Sequence, residues 1–168
     1  TAYYSHYQMS GDLLLNLEKL VLDNLLSASL NLENKKLGDA GAKILAAMET
    51  LSTVTTLELG DNEIGDEGVT ALAESTYVKN LKNLNLKSNN ITAKGAYVLA
   101  NSQNLAQLDQ LILKFNNIGE EGAKYIALST NLGKITTLDL FRNHIGQEGA
   151  LAIKRSKTLT RLSRVRLD

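Results

Sequence analysis

Apolar residues along this chain follow two rhythms that alternate. In short stretches such as LEL at 57–59 and LNL at 84–86, apolar and polar positions alternate, the pattern of a short strand with one buried face. A few residues later the spacing lengthens to three and four, as in Gly95-Ala-x-x-Leu99-Ala100, which predicts a helix. The two rhythms repeat together. The segments LNLENKKLGDAGAKIL, LELGDNEIGDEGVTAL, LNLKSNNITAKGAYVL, LILKFNNIGEEGAKYI and LDLFRNHIGQEGALAI align at a constant period of 27 residues.

The landmarks of the period are Leu30, Leu57, Leu84, Leu111 and Leu138, with Val165 opening a sixth unit, and a second leucine two residues after each. Asn62, Asn89, Asn116 and Asn143 recur next, with Lys35 in the first unit. A position held by Leu37, Ile64, Ile91, Ile118 and Ile145 follows, then a glycine at 41, 68, 95, 122 and 149. Acids gather where each helix should start (Asp66, Glu67, Glu120, Glu121, Glu148), as the positive end of a helix dipole favours. Each unit therefore reads as strand, turn, helix and return, and no unit can bury its apolar face without neighbours.

The repeated leucines and isoleucines are core residues on this reading, and the asparagines satisfy turn backbone that has no ladder partner. The glycines allow close packing or unusual backbone angles. In DLLLNLEKLVL, residues 12–22, the residues Leu13, Leu14, Leu17, Leu20 and Val21 share one helical face, with Ser10 or Asp12 as cap. The expected organisation is thus an N-terminal segment, 1–26, carrying a capping helix, and repeats over 27–168. Nothing comparable covers the strand at 165–167. The fifth helix carries Lys154 where earlier units have alanine. That edge is expected either to continue into further repeats or to be tolerated through its polarity.

The pattern LxxLxLxxNxIGxEGAxxLA, as in LKNLNLKSNNITAKGAYVLA and LDQLILKFNNIGEEGAKYIA, resembles leucine-rich repeats of the ribonuclease-inhibitor subfamily. Its Gly-Ala-x-x-Leu-Ala helix also resembles the GALA-type repeats of secreted bacterial effectors. The resemblance implies an α/β fold: a right-handed solenoid, a segment of a horseshoe, with parallel strands on the concave face and helices on the convex face. Spacing agrees, since strands stack about 4.8 Å apart and helices about 8–10 Å, so the array must curve toward its strands. The resemblance implies a binding scaffold rather than one function.

Composition narrows the chemistry. There are no cysteines, hence no disulfides or thiolate metal sites, and no prolines. No apolar run reaches membrane-spanning length, and the opening TAYYSHYQMSGD lacks the order of a signal peptide. Of the two histidines, His6 lies near the start and His144 in a variable turn position. HExxH and GxSxG are absent, and GDAGAK and GEEGAK lack phosphate-loop spacing, so neither catalysis nor a cofactor is expected. Asn90-Ile91-Thr92 matches a glycosylation acceptor, but the repeat itself demands Asn-x-Ile there. The net charge of zero hides an asymmetry: residues 1–81 carry 5 Lys+Arg against 12 Asp+Glu, and residues 82–168 carry 13 against 6.

Function is expected at the variable inner-face positions that flank the strand leucines. These are Glu58, Asn85, Lys87, Gln110, Ile112, Lys114, Phe115, Asp139, Phe141, Arg142, Arg164 and Arg166. The only two phenylalanines of the chain, Phe115 and Phe141, fall there in neighbouring units, beside Ile112 and four cations. Such a cluster reads as a protein–protein hot spot. The competing reading is that both rings fold over the core edge or pack on each other. The expected function is non-enzymatic binding of a partner protein by the concave face. The ribonuclease-inhibitor resemblance adds occlusion of a partner enzyme. Without the cysteines of that subfamily, a ribonuclease target does not carry over. The GALA resemblance adds a bacterial protein acting in a host cell, and a cytoplasmic setting is expected; residues 1–26 are too short for an F-box. Two alternatives stay open. One is a structural segment of a longer solenoid. The other is nucleic-acid or acidic-partner binding through Lys154, Arg155, Lys157, Arg161, Arg164 and Arg166, against which the acidic half of the inner face would repel phosphate.

Overall fold

The computed structural model describes the backbone of residues 2–168 and the side chains of residues 13–168. Helix α1 (Ala2–Asn24) is followed by strand β1 (Leu25–Leu26). The units then alternate strand and helix: β2 (Ser29–Asn31) and α2 (Gly38–Ala46), β3 (Thr56–Glu58) and α3 (Asp66–Glu74), β4 (Asn83–Asn85) and α4 (Ala93–Asn101). They continue with β5 (Gln110–Ile112) and α5 (Gly119–Ala127), β6 (Thr137–Asp139) and α6 (Gly146–Lys154), and β7 (Arg164–Arg166). The seven strands form one sheet in chain order. β1 pairs antiparallel with β2, and β2 to β7 are parallel. Their register places Leu30, Leu57, Leu84, Leu111, Leu138 and Val165 in one row, the 27-residue period read from the sequence.

The period works because each core side chain meets the same residue of the next unit. Both strand-leucine ladders are essentially unexposed up to Leu138 and Leu140. Two further ladders lie in the return segments: Leu51, Val78, Leu105, Leu132 and Leu159, and Val54, Leu81, Leu108 and Ile135. Burying each such side chain stabilises by about 1.5–3 kcal/mol. The repeated glycine sits where helix and turn touch. A Cβ on Gly95 would come within 2.6 Å of both Ile91 Cγ2 and Asp66 Oδ1.

Polar ladders run beside the apolar ones. Asn62, Asn89, Asn116 and Asn143 are buried. The Asn116 amide donates to the carbonyls of Leu86 and Leu113, both at 2.9 Å, and its Oδ1 accepts the Ile91 N–H at 3.0 Å. Each asparagine thus ties its own turn to the preceding unit. Ser75, Ser102, Ser129 and Ser156 donate to the carbonyls of Ala46, Ala73, Ala100 and Ala127 at 2.5–2.6 Å. This satisfies helix C-terminal carbonyls that have no intrahelical donor.

The acids at the helix starts divide in two. The Asp39 carboxylate accepts the N–H groups of Gly65 and Gly68, at the start of the next unit's helix, at 2.7 and 2.8 Å. Asp66 does the same for Thr92 and Gly95. Glu67 and Glu120 instead make exposed ion pairs with Lys43 and Lys124. Where Asp39 or Asp66 supplies the acceptor, Gly65 and Thr92 are extended. Elsewhere Gly38, Gly119 and Gly146 take left-handed φ of 59–70°, and Gly38 and Gly119 donate to the next unit's asparagine carbonyl. A side-chain acceptor therefore removes the need for glycine.

The two ends differ from expectation. α1 begins at Ala2 rather than near residue 12, so Ser10 and Asp12 fall inside the helix rather than at its start. Their side chains, like that of His6, lie outside the described residues. Leu17 and Val21 are buried and Leu20 is half-buried, but Leu13 and Leu14 are exposed, against the expected five-residue face. α1, 23 residues, is about 34 Å long and its neighbour α2, 9 residues, about 14 Å, so α1 runs well beyond the length of α2. At the other end Asp168 stands in for a ladder asparagine: its carboxylate accepts the N–H groups of Asn143 at 3.1 Å and Ile145 at 2.8 Å.

Candidate protein-binding surface

The parallel register lines up the inner-face residues in rows. One row runs Asn31, Glu58, Asn85, Ile112, Asp139, Arg166, and a second runs Ser29, Thr56, Asn83, Gln110, Thr137, Arg164. Beyond the strands the ladder continues for two residues and then turns. The turn residue is Asn34, Asp61, Ser88, Phe115 or Arg142, always left-handed, with φ between 52° and 58°. In the first four of these the N–H still reaches the next unit, as from Phe115 to the Phe141 carbonyl at 2.9 Å.

Asparagine, aspartate and serine suit this backbone, because their short polar side chains make local hydrogen bonds. A phenylalanine gains no such bond. Phe115 nevertheless occupies the position and is 42% exposed. Phe141 is half-buried, and the two rings meet edge to face with centroids 5.9 Å apart. Both sequence readings are therefore partly realised: the rings pack on each other, and one remains in solvent.

Cations close around them. Lys114 Nζ lies 6.0 Å from the Phe115 centroid, and Arg142 Cζ lies 5.8 Å from Phe115 and 5.6 Å from Phe141. Arg166 Cζ is 4.1 Å from the Phe141 centroid. Contacts of this kind are worth about 0.5–1 kcal/mol at exposed sites. Arg164 does not join the rings. With Ile112, Thr137, Asp139 and Arg166 it lines a shallow depression of about 340 Å³. Asp139 has a structural task there, accepting the Phe141 N–H at 3.0 Å. Thr137 Oγ1 is buried without a hydrogen-bond partner, the one such side-chain atom among the described residues.

The N-terminal part of the face is occupied internally. Lys87 is paired with Glu33 and lies 3.9 Å from Asp61. The Glu33 hydrogen bond holds the Lys87 ammonium above the ordinary lysine pKa, aided by the negative charges of Glu33, Asp61 and Glu58 and opposed by partial burial. Asn85 donates to Glu58 at 2.7 Å. Gln110 is half-buried in its row. Of the twelve predicted residues, the structure gathers Lys114, Phe115, Phe141, Arg142 and Arg166 into one cluster. It places Ile112, Asp139 and Arg164 beside them, and engages Glu58, Asn85 and Lys87 with neighbouring units.

A second aromatic pair, with Tyr97 exposed and Tyr125 half-buried, escaped the sequence reading. Tyr97 and Tyr125, on α4 and α5, meet edge to face at 5.0 Å on the helical side, in a groove shared with Lys43, Glu67 and Lys94. They lie 28 residues apart, one off the period, so alignment of the units does not superpose them. The Tyr125 hydroxyl donates to Glu121 at 2.5 Å, which raises its pKa above the ordinary tyrosine value. His144 is exposed, and no group of three or more His, Cys, Asp or Glu side chains converges among the described residues. No described helix is long and apolar enough to cross a membrane.

Comparison with known proteins agrees with this architecture. The Leucine Rich repeat family model matches residues 50–73, 79–100, 108–127 and 134–154, half of the chain, and the chain belongs to that family. Among solved structures it is similar to Leiomodin-1 Actin-Binding Site 2, at 22% identity and a TM-score of 0.57, over 86% of this chain and 89% of that one. An internalin (inlF) from Listeria monocytogenes str. 4b F2365 matches at 24% identity and a TM-score of 0.42, over 73% of this chain and 36% of the internalin. No curated protein matches the chain.

Proposed function

We propose that this chain is a non-enzymatic interaction module that binds a partner protein on its concave face, with Phe115 and Phe141 as the anchor. The observation that carries this is Phe115 itself. A large apolar ring stands partly in solvent on a left-handed backbone, at a position where the other units place the polar Asn34, Asp61, Ser88 and Arg142. The fold gains no core from that ring, and a preformed rigid surface loses little entropy on binding. Leiomodin-1 supports the general reading only as a neighbour in fold; actin binding belongs to that protein's segment.

Two finer readings are proposals of the same kind. Occlusion of a partner enzyme's active site suits a rigid curved face. A cytoplasmic setting, including delivery by a bacterium into a host cell, rests on the GALA-like helices.

The test is affinity capture with wild type beside Phe115→Asp/Phe141→Asp, both verified as folded by circular dichroism, followed by reconstitution with the purified partner. Loss of that partner in the variant supports the concave site. Equal capture by both proteins overturns it and directs attention to the Tyr97–Tyr125 groove.

A further inference from the structure

We infer that the surface around Phe115 and Phe141 takes an acidic segment of a partner protein, with its carboxylates held by Arg142 and Arg166 and an apolar side chain set against Phe115. This rests on the concave-face reading and adds the chemistry of what is bound there.

The first argument is which charges are already spent. Among the described residues, the acid–lysine pairs involve Lys19, Lys43, Lys87 and Lys124, and none involves Lys114, Arg142, Arg164 or Arg166. Towards the N-terminal end Glu33, Asp61 and Glu58 are engaged with Lys87 and Asn85. The cations of the face that have no acid partner therefore lie beside the rings, at its C-terminal end.

The second argument is how the arginines are held. Arg166 lies over the Phe141 ring, its Cζ 4.1 Å from the centroid, and Arg142 stands 5.6 Å from the centroid of Phe141 and 5.8 Å from that of Phe115. Stacking uses the flat face of a guanidinium and leaves its N–H edges free, and those edges match a carboxylate in a two-pronged hydrogen bond. A stacked arginine is also oriented in advance, so it loses less freedom on binding.

Nucleic acid fits this arrangement less well. Base stacking needs an open ring face. Arg166 covers Phe141, 4.1 Å from its centroid, which leaves Phe115 as the exposed ring of the pair, whereas strand binding stacks successive bases on successive rings.

The experiment is selection of random 12-residue peptides displayed on phage against the full chain. Enriched peptides are then measured by fluorescence polarisation, with a fluorescein-labelled 12-nucleotide oligo(dT) alongside. The expected result is enrichment of Asp and Glu around an aromatic or branched apolar residue. Affinity should drop at least tenfold in Arg142→Gln/Arg166→Gln, and oligo(dT) should bind more weakly than the peptides. Neutral or basic peptides, acidic peptides indifferent to the arginine variant, or tighter oligo(dT) binding would each overturn the inference. If non-acidic peptides are enriched but lost with Phe115→Asp, the acidic assignment fails while the concave-face site stands.

Discussion

Arg166 lays its guanidinium over the ring of Phe141, with Cζ 4.1 Å from the ring centroid, although the two residues belong to successive units. This contact ties the last described strand to the aromatic cluster. It also converts two inner-face positions that look independent in sequence into one surface.

Phe115→Asn separates a binding role from a structural one. Relief of the left-handed backbone, about 1 kcal/mol, offsets the loss of an edge-to-face contact of about 0.5–1.5 kcal/mol. The melting temperature should therefore change by only a few degrees, while partner or peptide affinity falls at least tenfold. A loss of about 3–5 kcal/mol, as for a core phenylalanine, would assign Phe115 to the fold instead.

Asn116 and Asn117 provide an internal control for the asparagine ladder. Asn116→Ala removes two donated bonds and strands the Ile91 N–H. Urea unfolding should show a loss of about 2–4 kcal/mol, given about 1–3 kcal/mol for each buried group left unpaired. Asn117 is exposed. Its alanine variant should stay within about 0.5 kcal/mol of wild type, and equal effects would refute the ladder assignment.

Asp66 and Glu67 should part in the same way. Asp66→Ala uncaps α4 at Thr92 and Gly95, a cost of about 1–2 kcal/mol. It should also speed amide exchange at Gly95. Glu67→Ala loses only an exposed pair with Lys43, where the expected change is about 0–0.5 kcal/mol. Matching losses from the two substitutions would return both acids to a generic dipole role.

Lys87 gives a pH signature. Its pKa is raised in the folded chain above 10.5, first by the Glu33 hydrogen bond. The lysine's contribution is therefore fully present at neutral pH, up to the unfolded value. It is lost as pH rises through the higher folded value. Lys87→Met should cost up to about 1 kcal/mol at pH 7, and the gap to wild type should narrow in strongly alkaline buffer. A gap that widens there would show the ion pair is not the cause.

Much of the fold was legible because the repeat states each environment several times. The serine ladder keeps the same 27-residue spacing at Ser75, Ser102, Ser129 and Ser156, yet serine carries little apolar signal that would mark it as buried. The cross-unit work of Asp39 and Asp66 was not legible. A carboxylate at a helix start satisfies dipole reasoning whether it serves its own helix or the next. The part Asp168 takes in the asparagine row was hidden for a related reason: the residue lies two positions short of the expected asparagine, and only its side-chain reach makes up the difference.

By itself the sequence determined the period, the parallel register, the leucine and asparagine rows and the identity of the inner-face positions. Those features depend on local periodicity and on burial that recurs every unit. The tertiary structure alone decided which inner-face charges are spent and which are free. Glu33 reaches Lys87 across two units, while Arg142 and Arg166 find rings and no acid. Long charged side chains choose partners by distance in space, over spans that no linear spacing encodes.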